Sequence, residues 1–433
     1  MLHHTNFSLL HPKDQLVEIM QRIYQHSMTT TSGGNLSILD NDDVWITPAG
    51  IDKGKLTPDD IVVVAKDGKV FGRHMPSSEY PFHHTIYERN PRLKAILHAH
   101  PPALTAFSII RRVPDTRVIP QALDICGTVG IAKYATPGSQ KLAENIAQSF
   151  EEGHNTVLLE NHGIVTGGEN LLSAFQKFET LDFCAQIIIK ADKLGKKTLS
   201  LTDEQISLFH EVRNNLPEFS PKKHTNKELE LRKEICDFVR RAYEQRLMTS
   251  TEGTLSTRID ADSFLITPYG VDRKYLTIEN IVQIKGKHRE LGKIPSRAVL
   301  LHNLIYEVNN DISAIITAQA PNIMAYGVTG TKLDTRALPE SYILLRNIPI
   351  LQYGMQFEEG IASVVSTETP VVILQNDAVL ATGPSILNAY DRLEVAERAA
   401  ETLLNSISLG KLILLDKQQV DDLDKKYRQR RYS

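Results

Sequence analysis

Apolar residues recur at helical spacing in several segments of the chain. The segment Asp14–Gln25 has its apolar residues on one helical face, at Leu16, Ile19, Met20 and Ile23. The same spacing predicts four further helices, at about Glu79–Asn90, Ser139–Phe150, Leu171–Leu194 and Lys227–Gln245. Shorter alternating segments, such as LKAILHAH (Leu93–His100), are typical of strands. Helices interspersed with strands predict a layered α/β fold.

The pattern occurs twice along the chain. Pro76-Ser77 recurs as Pro295-Ser296, an offset of 219 residues (295 − 76 = 219). Three longer blocks recur as well: Leu36–Val64 as Leu255–Ile284, His83–Leu97 as His302–Ile316, and Leu158–Gly168 as Ile373–Gly383. Two copies with so long a period are duplicated domains rather than units of a solenoid. A polar segment with two prolines, Asn214–Glu228, is the predicted linker, and the predicted domains are residues 1–219 and 220–433.

Composition narrows the class of protein. The chain has 433 residues, 41% of them hydrophobic and 23% charged, with a formal net charge of -3. This balance is typical of a globular protein and gives no electrostatic case for a nucleic-acid or membrane partner. Three widely spaced cysteines, no signal-peptide pattern and no apolar stretch of about 20 residues lead us to expect a cytoplasmic protein.

Two histidines close the strand-like segment LKAILHAH. Residues two apart in a strand project to the same face, so His98 and His100 form half of a metal site. His162, which follows the strand-like TVLLE and precedes Gly163, is the best candidate for a third nitrogen ligand. Glu79 is then the nearby proton carrier. The alternative is that these histidines are surface or packing residues, and His83 and His84 are interpreted in that way.

The ordered set of motifs resembles the class II aldolase/adducin family. The motifs that carry this resemblance are Thr31–Ser37 (TSGGNLS), Ile46–Val64, Ser77–Glu79 (SSE), His98–Pro102 (HAHPP), Lys133–Ile146 and Asn161–Gly163 (NHG). They span nearly the whole first copy. The resemblance implies a three-layer α/β/α domain in each copy, with a central, mostly antiparallel sheet between helices.

The same resemblance implies the roles of the site residues. His98, His100 and His162 would be zinc ligands, and Glu79 the acid/base residue, which also ligates the metal when no substrate is present. The phosphate of the substrate would be bound by Gly34, Asn35, Gly50, Ser77 and Ser78. This chain departs from the family at Ala49, where a serine or threonine is frequent, so one hydroxyl contact is lost.

The second copy lacks the metal residues. The repeat aligns Glu79 with Ala298, His98 with Thr317, His100 with Gln319, and His162 with Asp377. The turn that corresponds to Gly33-Gly34-Asn35 is Glu252-Gly253-Thr254, whose carboxylate would repel phosphate. We therefore expect one Zn²⁺ per chain, in the first domain only.

The implied activity is the reversible cleavage of a ketose 1-phosphate, of the L-fuculose 1-phosphate kind, to dihydroxyacetone phosphate and an aldehyde. Epimerase, dehydratase and decarboxylase members of the family are alternatives, although Glu79 disfavours the epimerase, which has aspartate there. A non-enzymatic, adducin-like interaction protein is a further alternative, which the second copy alone would favour. The intact Glu79 and histidine set favours an enzyme.

Family members often form cyclic tetramers with sites at subunit interfaces. A tandem chain would imitate this with two copies, so we expect a homo-oligomer. The segment Ile119–Ile125 corresponds to one that carries a partner-subunit tyrosine in the fuculose enzyme, and it has none. Tyr427 and Tyr432 are the candidates to replace that tyrosine.

Overall fold

The computed structural model describes residues 7–211, 215–358 and 360–427. They divide into two compact units. The first comprises the described residues up to Arg117 together with Gln121–Gln186, and the second comprises Val118–Pro120 together with the described residues from Ile187 onward. The domain boundary near residue 220 stays a prediction.

Eight strands of the first part of the chain form a single sheet. They are β1 (Asn35–Asp40), β2 (Asp43–Ile46), β3 (Val62–Val64), β4 (Val70–Phe71), β5 (Ala95–Ala99), β6 (Val129–Ala132), β7 (Thr156–Leu159) and β8 (Gly163–Gly168). Their order in the sheet is β4-β3-β2-β1-β5-β8-β7-β6. Every pair is antiparallel except β6 with β7, so the prediction of a mostly antiparallel sheet is confirmed.

Among the described residues, six α-helices accompany these strands along the chain. They are α1 (Pro12–Gln25), α2 (Tyr80–Arg89), α3 (Pro102–Ile109), α4 (Pro120–Cys126), α5 (Gln140–Glu151) and α6 (Leu171–Lys193). The predicted helices begin and end within about two residues of these bounds. The start of α5 is set by Ser139, whose Oγ accepts a hydrogen bond from the Leu142 N–H.

The main core of the first unit lies between the sheet and the helices α2 and α5. Its members are apolar and nearly fully buried: Ile96, Val165, Phe82, Ile86, Leu142, Ile146 and Phe150. All five residues of β5 are buried, which means that both faces of the central strand are covered. The helices α1 and α3 also contact the sheet, and these layers agree with the predicted α/β/α arrangement.

The second unit repeats this architecture. Its strands are β9 (Glu218–Phe219), β10 (Thr254–Arg258), β11 (Ser263–Ile266), β12 (Val282–Lys285), β13 (His288–Glu290), β14 (Ala314–Ala318), β15 (Ile350–Leu351), β16 (Val371–Leu374) and β17 (Ala378–Gly383), in the order β15-β16-β17-β14-β10-β11-β12-β13-β9. Its helices are α7 (Asp203–Glu211), α8 (Asn226–Glu244), α9 (Val299–Val308), α10 (Pro321–Thr329), α11 (Pro339–Leu345), α12 (Ile361–Val364), α13 (Ile386–Ser406) and α14 (Lys417–Tyr427).

The strand register shows that the two units are copies. In the first sheet β1 pairs Asn35 with His98, and in the second β10 pairs Thr254 with Thr317, the residues that the sequence repeat aligns. Among the described residues no helix is both long and apolar enough to span a bilayer. All three cysteines are buried and free.

Candidate metal centre and active site

The strand β5 ends in the two histidines of the first copy. His98 is the fourth residue of β5 and is fully buried, and His100 follows the strand directly. Their Nε2 atoms lie 3.0 Å apart, and the ring centroids 4.7 Å apart. The two imidazoles therefore share one face, as the strand spacing predicts.

The turn between β7 and β8 brings His162 to the same place. Asn161 adopts a left-handed conformation (φ 54°), which asparagine tolerates well, and His162 follows it. The His162 ring centroid lies 4.9 Å from that of His98 and 5.2 Å from that of His100. One ligand nitrogen from each ring lies within 4.8 Å of the other two, so the three nitrogens can surround one ion.

Hydrogen bonding orients the His98 ring. Its Nδ1 lies 2.9 Å from the backbone carbonyl of Ile164 in β8, and the contact requires the proton to be on Nδ1 because a carbonyl only accepts. The Nε2 lone pair then faces the other two rings. A histidine that donates one ring N–H to a backbone carbonyl and offers the other nitrogen is typical of metal ligands.

Glu79 lies at the N-cap position of α2, but its carboxylate does not cap the helix. Its Oε2 lies 3.2 Å from Nε2 of His98, and its Oε1 lies 3.4 Å from Nε2 of His162. Asn35 Nδ2 donates a hydrogen bond of 2.8 Å to Oε2. The Glu79 carboxylate therefore lies beside His98, His162 and Asn35, and Glu79 is mostly buried.

The electrostatics of the site favour neutral rings at His100 and His162 and an ionised carboxylate at Glu79. Burial lowers the pKa of His100 to about 3 and that of His162 to about 4. Burial raises the pKa of Glu79, but the neighbouring His98 and His162 rings and the hydrogen bond from Asn35 outweigh it and hold that pKa well below its usual range. Neutral imidazole is the form that binds a metal ion.

The turn Gly33-Gly34-Asn35 lies directly against the histidine strand. A Cβ on Gly34, whose φ is +74°, would come within 2.8 Å of the His98 carbonyl oxygen. A Cβ on Gly33 would lie 3.0 Å from Nδ1 of His100. Gly33 is therefore required by the close approach of the His100 side chain, and Gly34 by the close approach of the His98 backbone and by its own left-handed conformation.

Two more loops border the cluster. The Ser77 N–H donates to the Thr47 carbonyl, and the Ala49 N–H to the Met75 carbonyl, so the loop with Gly50 lies beside the loop with Ser77. Ser77 is buried, whereas Ser78 and Gly50 are exposed, and a Cβ on Gly50 would meet no atom within 4 Å. The side of the turn toward which a Cβ on Gly50 would point is therefore open.

Two residues near the site were not predicted to have a role. His83, interpreted from the sequence as a surface or packing residue, is fully buried and hydrogen-bonded to Asn35 and Ser37. Lys53 is buried beneath the loops: its N–H donates to the Thr31 carbonyl, and its Nζ lies 2.5 Å from the Pro48 carbonyl oxygen. The sequence carried a signal for each residue, because the repeat aligns His83 with His302 and Lys53 with Arg273. His84 is exposed, as the surface interpretation predicts.

The tyrosine that completes the fuculose enzyme's site has no assigned counterpart here. The segment Ile119–Ile125 forms most of α4. Tyr427 is the last residue of α14, and Tyr432 lies outside the described residues. The role of either tyrosine stays a prediction.

The corresponding positions of the second unit have different contacts. Ala298 occupies the N-cap of α9, as Glu79 does for α2. Gln319 donates a hydrogen bond to the Asp377 backbone carbonyl. The Glu252 carboxylate lies 3.2 Å from the Arg297 guanidinium, so the turn that replaces Gly33-Gly34-Asn35 is ion-paired to a residue outside the turn. Among the described residues the histidine cluster of the first unit is the one group of three that could hold a metal ion.

The profile of the class II aldolase and adducin N-terminal domain matches residues 14–189 and 233–404. The chain belongs to this family. The two matched segments account for most of the chain and correspond to the two copies, so the tandem duplication of a class II aldolase domain is confirmed. Residues 190–232, between the matches, contain the predicted boundary.

Several curated members of the class II aldolase family are similar to this chain. A 3-oxo-tetronate 4-phosphate decarboxylase of Haemophilus influenzae is 33% identical over 199 residues, which cover 45% of this chain and 93% of that protein. An L-fuculose phosphate aldolase of Methanococcus maripaludis is 33% identical over 173 residues, 40% of this chain and 93% of that protein. A solved L-fuculose 1-phosphate aldolase is 34% identical and covers 49% of this chain, with a TM-score of 0.42.

These relatives are lyases of two kinds, an aldolase and a decarboxylase. At the level of the superfamily, the chain is therefore similar to enzymes that act on small phosphorylated sugars or sugar acids. The identities to the aldolase and to the decarboxylase are equal, so overall similarity does not select one reaction.

Proposed function

We propose that the protein is a zinc-dependent class II aldolase that reversibly cleaves a ketose 1-phosphate to dihydroxyacetone phosphate and an aldehyde. The observation that carries the proposal is the convergence of His98, His100 and His162 beside the carboxylate of Glu79. The first unit would hold one Zn²⁺ and the second none.

The residues present fit a zinc ion. Three neutral nitrogen ligands that leave further coordination positions open are typical of catalytic zinc sites. Glu79 Oε1 is buried and has no hydrogen-bond partner among the described residues, which is costly for a carboxylate unless a cation or a proton comes to it. Zinc, when bound, would polarise the carbonyl of the substrate as a Lewis acid.

Glu79 would move the proton of the reaction. Cleavage of a ketose 1-phosphate breaks the bond between C3 and C4 and leaves negative charge that is shared between C3 and the carbonyl oxygen. The carboxylic acid form of Glu79 would give a proton to C3 in cleavage, and the carboxylate would remove it in condensation. The C4 hydroxyl would lose its proton to solvent as the aldehyde forms, so each cleavage releases one proton at C4 and takes up one at C3.

The loops around the cluster would bind the phosphate. Gly34 and Gly50 can present backbone N–H groups at left-handed turns, and Ser77 and Ser78 can add hydroxyl donors. The sequence also predicts Asn35 for this role. In the structure both polar atoms of the Asn35 side chain are already bonded within the protein, to Glu79 and to His83.

Decarboxylation is the second candidate, which the match to the Haemophilus influenzae enzyme favours. Loss of CO₂ from a 3-oxo-tetronate 4-phosphate also leaves negative charge beside a ketone, and protonation of that carbon gives dihydroxyacetone phosphate. The two reactions thus share one product, and they differ in the other, an aldehyde or CO₂.

An assay of both products separates the candidates. We expect the zinc-loaded protein to release dihydroxyacetone phosphate together with an aldehyde from L-fuculose 1-phosphate or 5-deoxy-D-ribulose 1-phosphate, and Glu79→Gln to slow this release at least about 100-fold. CO₂ release from 3-oxo-tetronate 4-phosphate alone would instead support the decarboxylase. A zinc-loaded protein inactive on all three compounds would contradict both candidates and favour a binding role.

A role for the second unit in assembly is part of the same proposal. Two tandem chains would supply four class II aldolase domains, two of them with the histidine cluster, and would act as a homo-oligomer in the cytoplasm. Light scattering coupled to size-exclusion chromatography measures the assembly. An active, stable monomer would contradict the proposed homo-oligomer without affecting the proposed reaction.

A further inference from the structure

A continuous chain of buried hydrogen bonds leads to Glu79 from the interior of the first unit. The Tyr87 hydroxyl lies 2.7 Å from Ser37 Oγ, which lies 2.6 Å from Nδ1 of His83. His83 Nε2 lies 2.5 Å from Asn35 Oδ1, and Asn35 Nδ2 lies 2.8 Å from Glu79 Oε2. Four of the five side chains belong to β1 or α2, two elements that the core packing holds rigidly, and the fifth, Glu79, lies at the N-cap of α2.

The chemistry of the groups allows one direction for every bond in this chain. An ionised Glu79 only accepts, so Asn35 must turn its NH₂ toward it and its oxygen toward His83. That oxygen needs a donor, which places the His83 proton on Nε2. His83 Nδ1 then accepts from Ser37, and Ser37 accepts from Tyr87. Burial lowers the pKa of His83 to about 3, in agreement with a neutral ring.

The second unit contains part of the same series of hydrogen bonds, without the asparagine and the carboxylate. Ser256 Oγ lies 2.8 Å from Nδ1 of His302 and 2.8 Å from the Tyr306 hydroxyl. Thr254 replaces Asn35 and bonds to Ser296 instead, so the buried His302 Nε2 has no hydrogen-bond partner among the described residues. The tyrosine, serine and histidine are thus part of the fold, whereas the asparagine that joins them to a carboxylate is present only where the carboxylate is.

We propose that Asn35 and His83 are positioning residues that hold Oε2 of Glu79 in place, so that Oε1 is the oxygen that exchanges the proton with substrate. This inference rests on the proposed function. Oε2 accepts the hydrogen bond of Asn35, whereas Oε1 has no hydrogen-bond partner among the described residues. A carboxylate whose Oε2 is held by a hydrogen bond cannot rotate to interchange Oε1 and Oε2. The reactive oxygen, Oε1, therefore keeps one position relative to the substrate.

The structure offers substitutions that separate positioning from folding. Asn35→Thr installs the residue of the second unit and removes the donor to Glu79. His83→Leu removes the support of Asn35, whereas His83→Gln keeps a terminal N–H donor near the position of Nε2. His302→Leu and His302→Gln are the matched controls, because His302 has the same buried contacts with tyrosine and serine but no carboxylate to hold.

The experiment uses the zinc-loaded full chain and two readouts. The first is the exchange, with deuterium from solvent, of the protons on the hydroxymethyl carbon of dihydroxyacetone phosphate, which corresponds to C3 of the ketose. Proton NMR measures this exchange, which reports the step assigned to Glu79. The second is the kcat and KM of cleavage, with zinc content measured on every variant. Melting temperatures relative to the His302 controls account for losses of stability that any buried histidine substitution brings.

We expect Asn35→Thr and His83→Leu to slow exchange and kcat about 10–100-fold, with zinc content and KM unchanged. We expect His83→Gln to recover most of that loss, and both His302 variants to leave exchange at the wild-type rate. A raised KM with unchanged kcat in Asn35→Thr would overturn the inference, because Asn35 would then bind the phosphate. Loss of zinc from Asn35→Thr or His83→Gln would also overturn it.

The failure of this inference can be distinguished from failure of the proposed function. If the wild-type protein exchanges the C3 protons and the Asn35 and His83 variants exchange them equally fast, the positioning role is wrong and the enzymatic role stands. If the zinc-loaded wild-type protein catalyses no exchange, the proposed function is wrong and the positioning role is rejected with it.

Discussion

A Cβ atom on Gly163 would lie 2.6 Å from Cδ2 of His100. It would also lie 2.6 Å from the backbone oxygen of Ala99. The φ angle of Gly163 is not positive, so glycine is required here for space rather than for conformation. In the second unit the equivalent residue is Ala378, opposite Gln319, which shows that the fold itself accepts a Cβ at this position.

We therefore predict that Gly163→Ala displaces His100 and weakens zinc binding at least about tenfold, and that the contact with the Ala99 carbonyl also lowers the melting temperature. Elemental analysis after dialysis against a graded zinc chelator measures the affinity. Gly360→Ala, at a position where a Cβ meets no atom within 4 Å, is the control and should retain full zinc. Retention of wild-type zinc affinity in Gly163→Ala would show that the contact with His100 has no consequence.

Removal of a predicted ligand should abolish stoichiometric zinc binding. We predict that His100→Ala lowers zinc content from about one ion per chain to near zero, because two imidazoles make an incomplete site. His84→Ala removes an exposed histidine that pairs with Glu88 and should leave zinc content unchanged. Equal zinc contents in the two variants would place the metal elsewhere or show that there is none.

Glu79→Gln tests the proton carrier separately from the metal. The amide keeps the shape of the side chain and cannot carry the proton, so we predict a fall in kcat of about 10²–10⁴-fold with zinc still bound. Release of dihydroxyacetone phosphate, coupled to its reduction by NADH, measures the rate. A Glu79→Gln protein that retains zinc and more than a tenth of the wild-type kcat would contradict the assignment.

The buried histidine of the second unit should make the protein sensitive to acid. Burial lowers the pKa of His302 to about 3, against about 6.5 in an unfolded chain. Between these values the unfolded state binds a proton that the folded state does not, so the free energy of unfolding falls as the pH falls. The slope approaches about 1.4 kcal/mol per pH unit, and the contribution vanishes above about pH 6.5.

Calorimetric melting at pH 7, 6 and 5 measures this effect. We predict that the melting temperature of His302→Gln changes less between pH 7 and pH 5 than that of the wild-type protein, because uptake of one proton is no longer linked to unfolding. His154→Gln, which replaces a histidine outside the core, should follow the wild-type pH dependence. Parallel curves for the wild type and His302→Gln would contradict the neutral state of His302.

Much of the fold could be predicted from local patterns. The spacing of Leu16, Ile19 and Ile23 predicts α1, because a helix packed on a core places its apolar residues on one face. The segment around Ile96 predicts β5, in which all five residues are buried because both faces of the strand are covered. The repeat predicts two similar domains, since the same spacing of residues folds in the same way twice. The bounds differ by about two residues, where capping by side chains such as Ser139 decides where a helix begins.

The site itself could be predicted only in part. His98 and His100 could be paired from the sequence, because residues two apart in a strand share a face. The surroundings of His83 could not, because a histidine on a helix has the same local pattern whether it faces solvent or the interior. Its contact with Asn35 spans 48 residues and depends on how α2 packs on β1.

The sequence by itself determined the duplicated α/β architecture, the shared face of the histidine pair and the loss of its equivalents from the second copy. The tertiary structure alone decided that His162 meets the pair, that Glu79 turns away from its helix toward the rings, and that Asn35 is bonded within the protein. The reason is physical. Local patterns depend on neighbours along the chain, whereas these contacts join residues up to 83 positions apart (162 − 79 = 83), and only the register and packing of the sheet bring them together.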